Sequence, residues 1–75
     1  MEFEKIRDVI ADQMSVPKNK ITMETSFRND LNADSLDMLQ IISELEEVYG
    51  REFANEDADR IKTVGDAVEY VQANL

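Results

Sequence analysis

The sequence contains no cysteine and no histidine, and each missing residue type removes a class of chemistry. Without cysteine there is neither a disulfide framework nor a thiolate metal site, so a chain of 75 residues must be held together by packing alone. Without histidine as well, Ser-His-Asp and Cys-His mechanisms and the usual zinc sites are excluded on composition. Glycine occurs only as Gly50 and Gly65, which is too little for a phosphate-cradling loop. Pro17 is the only proline, which speaks against a turn-rich sheet protein. Bases are scarce, with 8 Lys and Arg against 17 Asp and Glu, and a net charge of -9 has the wrong sign for nucleic acid. No stretch reads as a signal peptide or approaches the apolar length of a membrane span. With cysteine absent, these features point to a protein of the reducing cytoplasm, with no membrane insertion.

What remains is 43% hydrophobic and 33% charged, the composition of a small helical globule rather than of a disordered chain. A domain of this size buries about 60% of the surface its unfolded chain exposes, enough for one modest core and no deep cleft. Carboxylates are plentiful but fall on an exposed helix face, where nothing would keep one protonated for acid-base work, so the chain is not expected to be an enzyme. The charge is unevenly placed. From Asp30 to Asp59 there are ten acids and the single base Arg51, while the remaining residues carry equal numbers of each sign. A basic patch on another protein would complement such a segment, although acidity for solubility alone is the plainer account.

Hydrophobic periodicity predicts a first helix over Phe3 to Met14, with Phe3, Ile6, Ile10 and Met14 on one face and Val9 beside them. Ser15, Val16 and Pro17 end it. Pro17 to Asn32 has no long period and reads as a long loop pinned to the core by Ile21, Met23, Phe27 and Leu31. The strongest signal runs from Ser35 to Tyr49, where Met38, Ile41, Ile42, Leu45, Val48 and Tyr49 form the core stripe. Asp37, Gln40, Glu44 and Glu47 take the opposite face, Leu36 lies beside them and should be exposed, and Gly50 supplies a left-handed stop. A short helix is expected over Asn55 to Ile61, capped by Asn55. Thr63 with Asp66 should cap the last helix, whose stripe is Val64, Ala67, Val68, Val71 and Leu75. The expected architecture is all-α, a small four-helix bundle of three main helices and one short one, with a long loop after the first.

Ser35 lies in the stretch DLNADSLD, at the junction of the loop and the longest apolar pattern. No base stands near it, so it is not a self-sufficient nucleophile. A serine at a helix start is most often an N-cap, yet the same position suits an attached phosphate, since the positive end of the helix dipole stabilises it. Position alone does not choose between these. Asp30, Asn32 and Asp34 match positions one, three and five of an EF-hand loop. The glycine and glutamate required at positions six and twelve are replaced by Ser35 and Ile41, so no metal site is expected there.

DLNADSLD, followed by MLQIISELEEVYG and DADRIKTVGDAVEYV, resembles an acyl carrier protein of the bacterial, dissociated fatty-acid type over essentially the whole chain. The resemblance implies a single acyl carrier domain over residues 1–75. In that family the serine of D-S-L, here Ser35, receives 4'-phosphopantetheine from coenzyme A through a phosphodiester installed by a separate transferase with magnesium. The arm ends in a thiol that carries the acyl chain as a thioester between the enzymes of fatty-acid synthesis. By the same resemblance Asp34, Asp37, Glu46 and Glu47 correspond to acids that meet basic patches on the transferase and those enzymes. Leu36, Met38 and Phe53 fall where the family has docking residues. Phe27, Ile42, Leu45, Ala58, Ile61 and Val68 are candidates for lining an acyl pocket, positions that a plain core would also explain.

Three residues depart from the family pattern. Asn32 stands where glycine is usual, and asparagine is the next best residue for a positive φ, so the turn should be kept. Gln40 replaces a glutamate on the docking face, and Ala54 a proline ahead of the short helix. The alternatives to a monomeric fatty-acid carrier are a specialised polyketide-type carrier and, from a different class, an acidic helical adaptor or cation-binding module in which Ser35 is only a cap.

Overall fold

The structure is a computed structural model and describes residues 2–53 and 59–75. Three α-helices carry the core: α1 (Glu2–Met14), α2 (Ser35–Tyr49) and α3 (Val64–Ala73). Among the described residues there is no strand beyond one isolated antiparallel bridge. In α1, Ile6 and Ile10 lie one turn apart with no exposed surface, and Ala11 beside them lets the neighbouring helices approach. That face packs against both α2 and α3, so α1 is the wall on which the other two are laid. Ser15 closes α1 in the left-handed region at φ 56, and the Val16 amide turns back to the Ala11 carbonyl at 3.0 Å.

The segment between α1 and α2 is irregular, as its lack of period predicts, apart from a 3-10 turn over Lys18–Lys20. Ile21 and Phe27 are buried, and Leu31 is half-buried. Met23, expected to help pin the loop, is instead 41% exposed. Its backbone does the pinning, because the Met23 carbonyl accepts the Gly65 amide at 2.8 Å. A Cβ at Gly65 would come within 3.0 Å of that carbonyl, which accounts for glycine there. Beyond it the Thr25 carbonyl accepts the Val64 amide at 2.9 Å, and the Phe27 amide donates to the Lys62 carbonyl at 3.0 Å. The long loop is therefore stitched to the start of α3 by a short ladder around the Ser26–Thr63 bridge. Sequence periodicity cannot report a ladder this short.

In α2, Ile41, Ile42 and Leu45 are buried and Met38 and Tyr49 pack partly against them. Val48, assigned to the same stripe, is 48% exposed. At ~100° per residue it falls at the edge of the apolar arc, past the width that α1 covers. Gly50 ends the helix at φ 63, as expected for a left-handed stop. Phe53 then turns into the core at 7% exposure, its ring edge-on to Tyr70 at 5.5 Å between centroids.

Thr63 and Asp66 form a reciprocal capping box on α3, and Val64, Ala67, Val68 and Val71 are buried. Leu75 is 51% exposed, because α3 ends at Ala73 and the last residues no longer follow its face. The short helix expected over Asn55 to Ile61 lies mostly outside the described residues, as do its cap Asn55 and the replacement Ala54. At its described end, Asp59 and Arg60 form a 3-10 turn and Ile61 is half-buried.

Candidate functional site

The loop reaches α2 through Asn32, which adopts φ 59, the positive angle expected where glycine is usual. Ala33 follows, buried, its amide held by the Phe27 carbonyl at 2.8 Å. Asp34 is extended, at φ -94 and ψ -176, and its carboxylate accepts the Asp37 amide at 2.9 Å. The Asp37 carboxylate in turn accepts the Asp34 amide at 3.1 Å. The capping box is thus complete without Ser35. Ser35 is the first helical residue and not the N-cap, which corrects the cap reading by one position. It is exposed, and its hydroxyl has no hydrogen-bond partner among the described residues.

The consequence is electrostatic as well as steric. The free backbone N–H groups of the first turn of a 15-residue helix surround the Ser35 side chain with positive potential. A phosphodiester built on its oxygen would meet that potential without displacing any cap. The chain holds no histidine to deprotonate the hydroxyl, and the neighbouring carboxylates of Asp34 and Asp37 are both engaged by backbone amides. The exposed hydroxyl therefore has no base poised within the described residues to activate it.

Ser35 stands on a groove of about 790 Å³ whose apolar lining is Phe27, Ala33, Met38, Leu39 and Ile61. Two of the residues proposed from sequence for an acyl pocket, Phe27 and Ile61, lie here. Ile42, Leu45 and Val68 are packed in the core, as Phe27 is, but are not among the described residues that line the groove, and Ala58 lies outside the described residues. Leu39, 43% exposed, is a lining residue that sequence reading missed, because the helical period sets it off the core stripe. Arg28 and Lys62 also line the groove, and nothing in their sequence spacing relates them to Ser35.

The residues expected to dock partners are placed unequally. Leu36 is 62% exposed, in agreement with its position off the core stripe, and Asp34, Gln40 and Glu47 are exposed. Asp37, Met38 and Glu46 are half-buried. Gln40 accepts a hydrogen bond from the Gln13 amide of α1. Glu46 accepts the Phe53 amide at 2.7 Å, so its carboxylate organises the chain after α2. Phe53 differs from the others, since its ring is in the core at 7% exposure and leaves little surface for a partner. In the EF-hand-like stretch, the Asp30 carboxylate accepts the Ser26 amide at 2.7 Å and Asp34 caps α2, so both serve the backbone. No group of three or more metal-ligating side chains occurs among the described residues. No helix among them is long and apolar enough to cross a membrane.

Comparison with known proteins joins this geometry to a family. Residues 4–71 match the family described as "Phosphopantetheine attachment site". The chain is 49% identical over 72 residues to an acyl carrier protein of Lactobacillus acidophilus, covering 96% of this chain and 90% of that one. It is 42% identical, with the same coverage, to an acyl carrier protein of Lactobacillus johnsonii. Its fold is similar to the acyl carrier protein of Enterococcus faecalis, with a TM-score of 0.81 and 34% identity over 99% of this chain and 94% of that one. A chain from Mycobacterium tuberculosis described as a candidate acyl carrier protein is similar over the full length of both, with a TM-score of 0.90 and 32% identity. Matched over residues 4–71 by the phosphopantetheine attachment site family and over nearly its whole length by acyl carrier proteins, the chain belongs to the acyl carrier protein family.

Proposed function

We propose that this chain carries acyl groups as thioesters through fatty-acid synthesis, on a 4'-phosphopantetheine arm joined by a phosphodiester to Ser35. The observation that carries the assignment of the residue is the capping box of Asp34 and Asp37. It fulfils the structural duty of the helix start and leaves the Ser35 hydroxyl exposed and unbonded among the described residues. The arm contributes a terminal thiol, which this cysteine-free chain lacks. The chain contributes a fixed attachment point, a helix N-terminus that favours the phosphodiester, and an acidic surface.

That surface is the second part of the proposal. A phosphopantetheinyl transferase and the enzymes of fatty-acid synthesis dock through basic patches on the exposed acids of α2, with Leu36 as an apolar contact beside them. Exposed ion pairs are individually worth about 1 kcal/mol or less and are screened by salt. Docking built from them is fast and reversible, as a shuttle in the cytoplasm requires.

Incubation with a phosphopantetheinyl transferase, coenzyme A and magnesium tests the attachment. The intact protein should gain the mass of one phosphopantetheine, located on the peptide containing Ser35, and Ser35→Ala should gain none. Because the Ser35 side chain makes no hydrogen bond among the described residues, the variant should keep the wild-type melting temperature, so that lost loading reports the missing hydroxyl. Loading that persists in Ser35→Ala rules out Ser35 as the attachment residue.

A further inference from the structure

Three backbone hydrogen bonds gather charge around Ser35 that the linear sequence keeps apart. The Phe27 amide donates to the Lys62 carbonyl at 3.0 Å, and the Ala33 amide donates to the Phe27 carbonyl at 2.8 Å. The ladder is extended by the Val64 amide on the Thr25 carbonyl at 2.9 Å. Arg28, next to Phe27, and Lys62 are thereby drawn to the end of the loop that leads through Ala33 and Asp34 into Ser35. All three side chains line the same groove.

Both bases are exposed, and neither forms an ion pair among the described residues. Lys62 contributes at a distance to lowering the Asp66 carboxyl, after the amide hydrogen bonds of Lys62 and Thr63 themselves. Among the described residues, Asp59 is the carboxylate that lines the groove with them. The surroundings are otherwise acidic, since the segment from Asp30 to Asp59 has Arg51 as its only base. A phosphodiester on Ser35 adds one more negative charge beside Asp34 and Asp37. Two cations brought in from outside the acidic segment, without ion-pair partners among the described residues, offer compensation besides the helix N-terminus.

We infer that Arg28 and Lys62 form an anion-binding pair that holds the phosphodiester at Ser35 and so lays the arm along the groove. The inference rests on Ser35 being the attachment residue. The guanidinium of Arg28 supplies a planar fork for two phosphate oxygens, and Lys62 a point charge from the other chain of the ladder. The apolar lining of Phe27, Met38, Leu39 and Ile61 then lies next to the start of the arm. The pair sets how readily the arm leaves the groove for a partner enzyme.

The test compares the wild type with the double variant Arg28→Gln, Lys62→Gln after loading both by a transferase with coenzyme A and magnesium, with mass spectrometry confirming one arm per chain. Phosphorus-31 NMR then reads the phosphodiester directly. In the wild type the resonance should be broad, relaxing with the whole protein, and the Arg28 side-chain N–H resonance should shift between the unloaded and loaded forms. In the double variant the phosphorus line should narrow, and Arg28→Lys, Lys62→Arg should restore the wild-type width. Raising the salt to 1 M, where the Debye length is about 3 Å, should narrow the wild-type line in the same way, a measurement that needs no variant. If neither protein accepts the arm, the attachment reading fails and this one with it. If both are loaded and their phosphorus relaxation is identical and indifferent to salt, the attachment stands and the anion-binding pair is overturned.

Discussion

Asn32 and Asp34 do the conformational work that leaves Ser35 free. Asn32 stands at φ 59, where a side chain ordinarily costs roughly 1–2 kcal/mol and asparagine less. Asn32→Ala should therefore destabilise the protein by about 1 kcal/mol. Asn32→Gly should be nearly neutral, because relief of strain is offset by the greater freedom glycine has in the unfolded chain. Urea unfolding with a common m-value separates them, and equal stability of all three proteins would mean that the turn is not held at positive φ. This angle was legible in the sequence, because asparagine is the residue that replaces glycine in the left-handed region at least cost. The identity of the cap was not. Aspartate and serine are about equally good N-caps, so adjacent Asp34 and Ser35 leave the helix start ambiguous by one residue. The ambiguity matters because it decides whether the serine is structural or available.

The three helices were legible because each buries one face of a 3.6-residue pattern, and the left-handed stop at Gly50 and the Thr63–Asp66 box followed from residue type and spacing. What failed lay at the margins of those patterns. Val48 sits at the edge of the α2 stripe and Leu75 beyond the end of α3, and periodicity carries no information about where a neighbouring helix stops covering it. The groove was legible only in part, since Phe27 and Ile61 are apolar residues in irregular segments while Arg28 and Lys62 reach it through a ladder without a sequence signature. Within α2 the adjacent acids Glu46 and Glu47 look interchangeable in sequence, yet among the described residues only Glu46 accepts a backbone amide, that of Phe53 at 2.7 Å. Glu46→Lys should thus lose about 1 kcal/mol of stability through the freed amide of buried Phe53, besides any loss of partner binding. Glu47→Lys, at an exposed position, should weaken binding to the transferase and, at about 0.15 M salt, cost no stability. Calorimetric melting and a titration with the transferase distinguish the two, and equal melting temperatures would show that the Glu46 contact contributes nothing.

The molecule measures 26 × 25 × 18 Å and carries a net charge of -9. At 0.01 M ionic strength the Debye length is about 30 Å, so every carboxylate is repelled by every other; near 0.15 M it is about 8 Å and repulsion is confined to neighbours. The melting temperature should therefore rise with sodium chloride over this range, and rise further with a divalent cation at equal ionic strength, because the acids are concentrated between Asp30 and Asp59. Acidification acts on the same repulsion and on the caps with opposite signs. Lowering the pH from 7 toward the isoelectric point near 4.2 removes negative charge and should stabilise the fold at low salt. Asp66 opposes this at the acid end. The amides of Lys62 and Thr63 hold its carboxyl below the ordinary value of 3.8, so its contribution is complete above 3.8 and is lost as the pH falls through the lower folded value. Asp8 behaves alike: although partial desolvation works to raise it, its hydrogen bonds to Arg7 and the charges of Lys18 and Arg7 keep it low. At 0.01 M salt the melting temperature should rise from neutrality to a maximum near the isoelectric point, then fall steeply below pH 3.8. At 0.15 M the rise from neutrality should largely disappear while the acid fall remains, since hydrogen-bonded caps are screened less than distant charges. Asp66→Ala should lower the curve above pH 3.8, converge with the wild type at the acid end, and so make the acid fall shallower. A low-salt curve that is flat from pH 7 to 4.5 would mean that the concentration of acids between Asp30 and Asp59 costs the fold no stability.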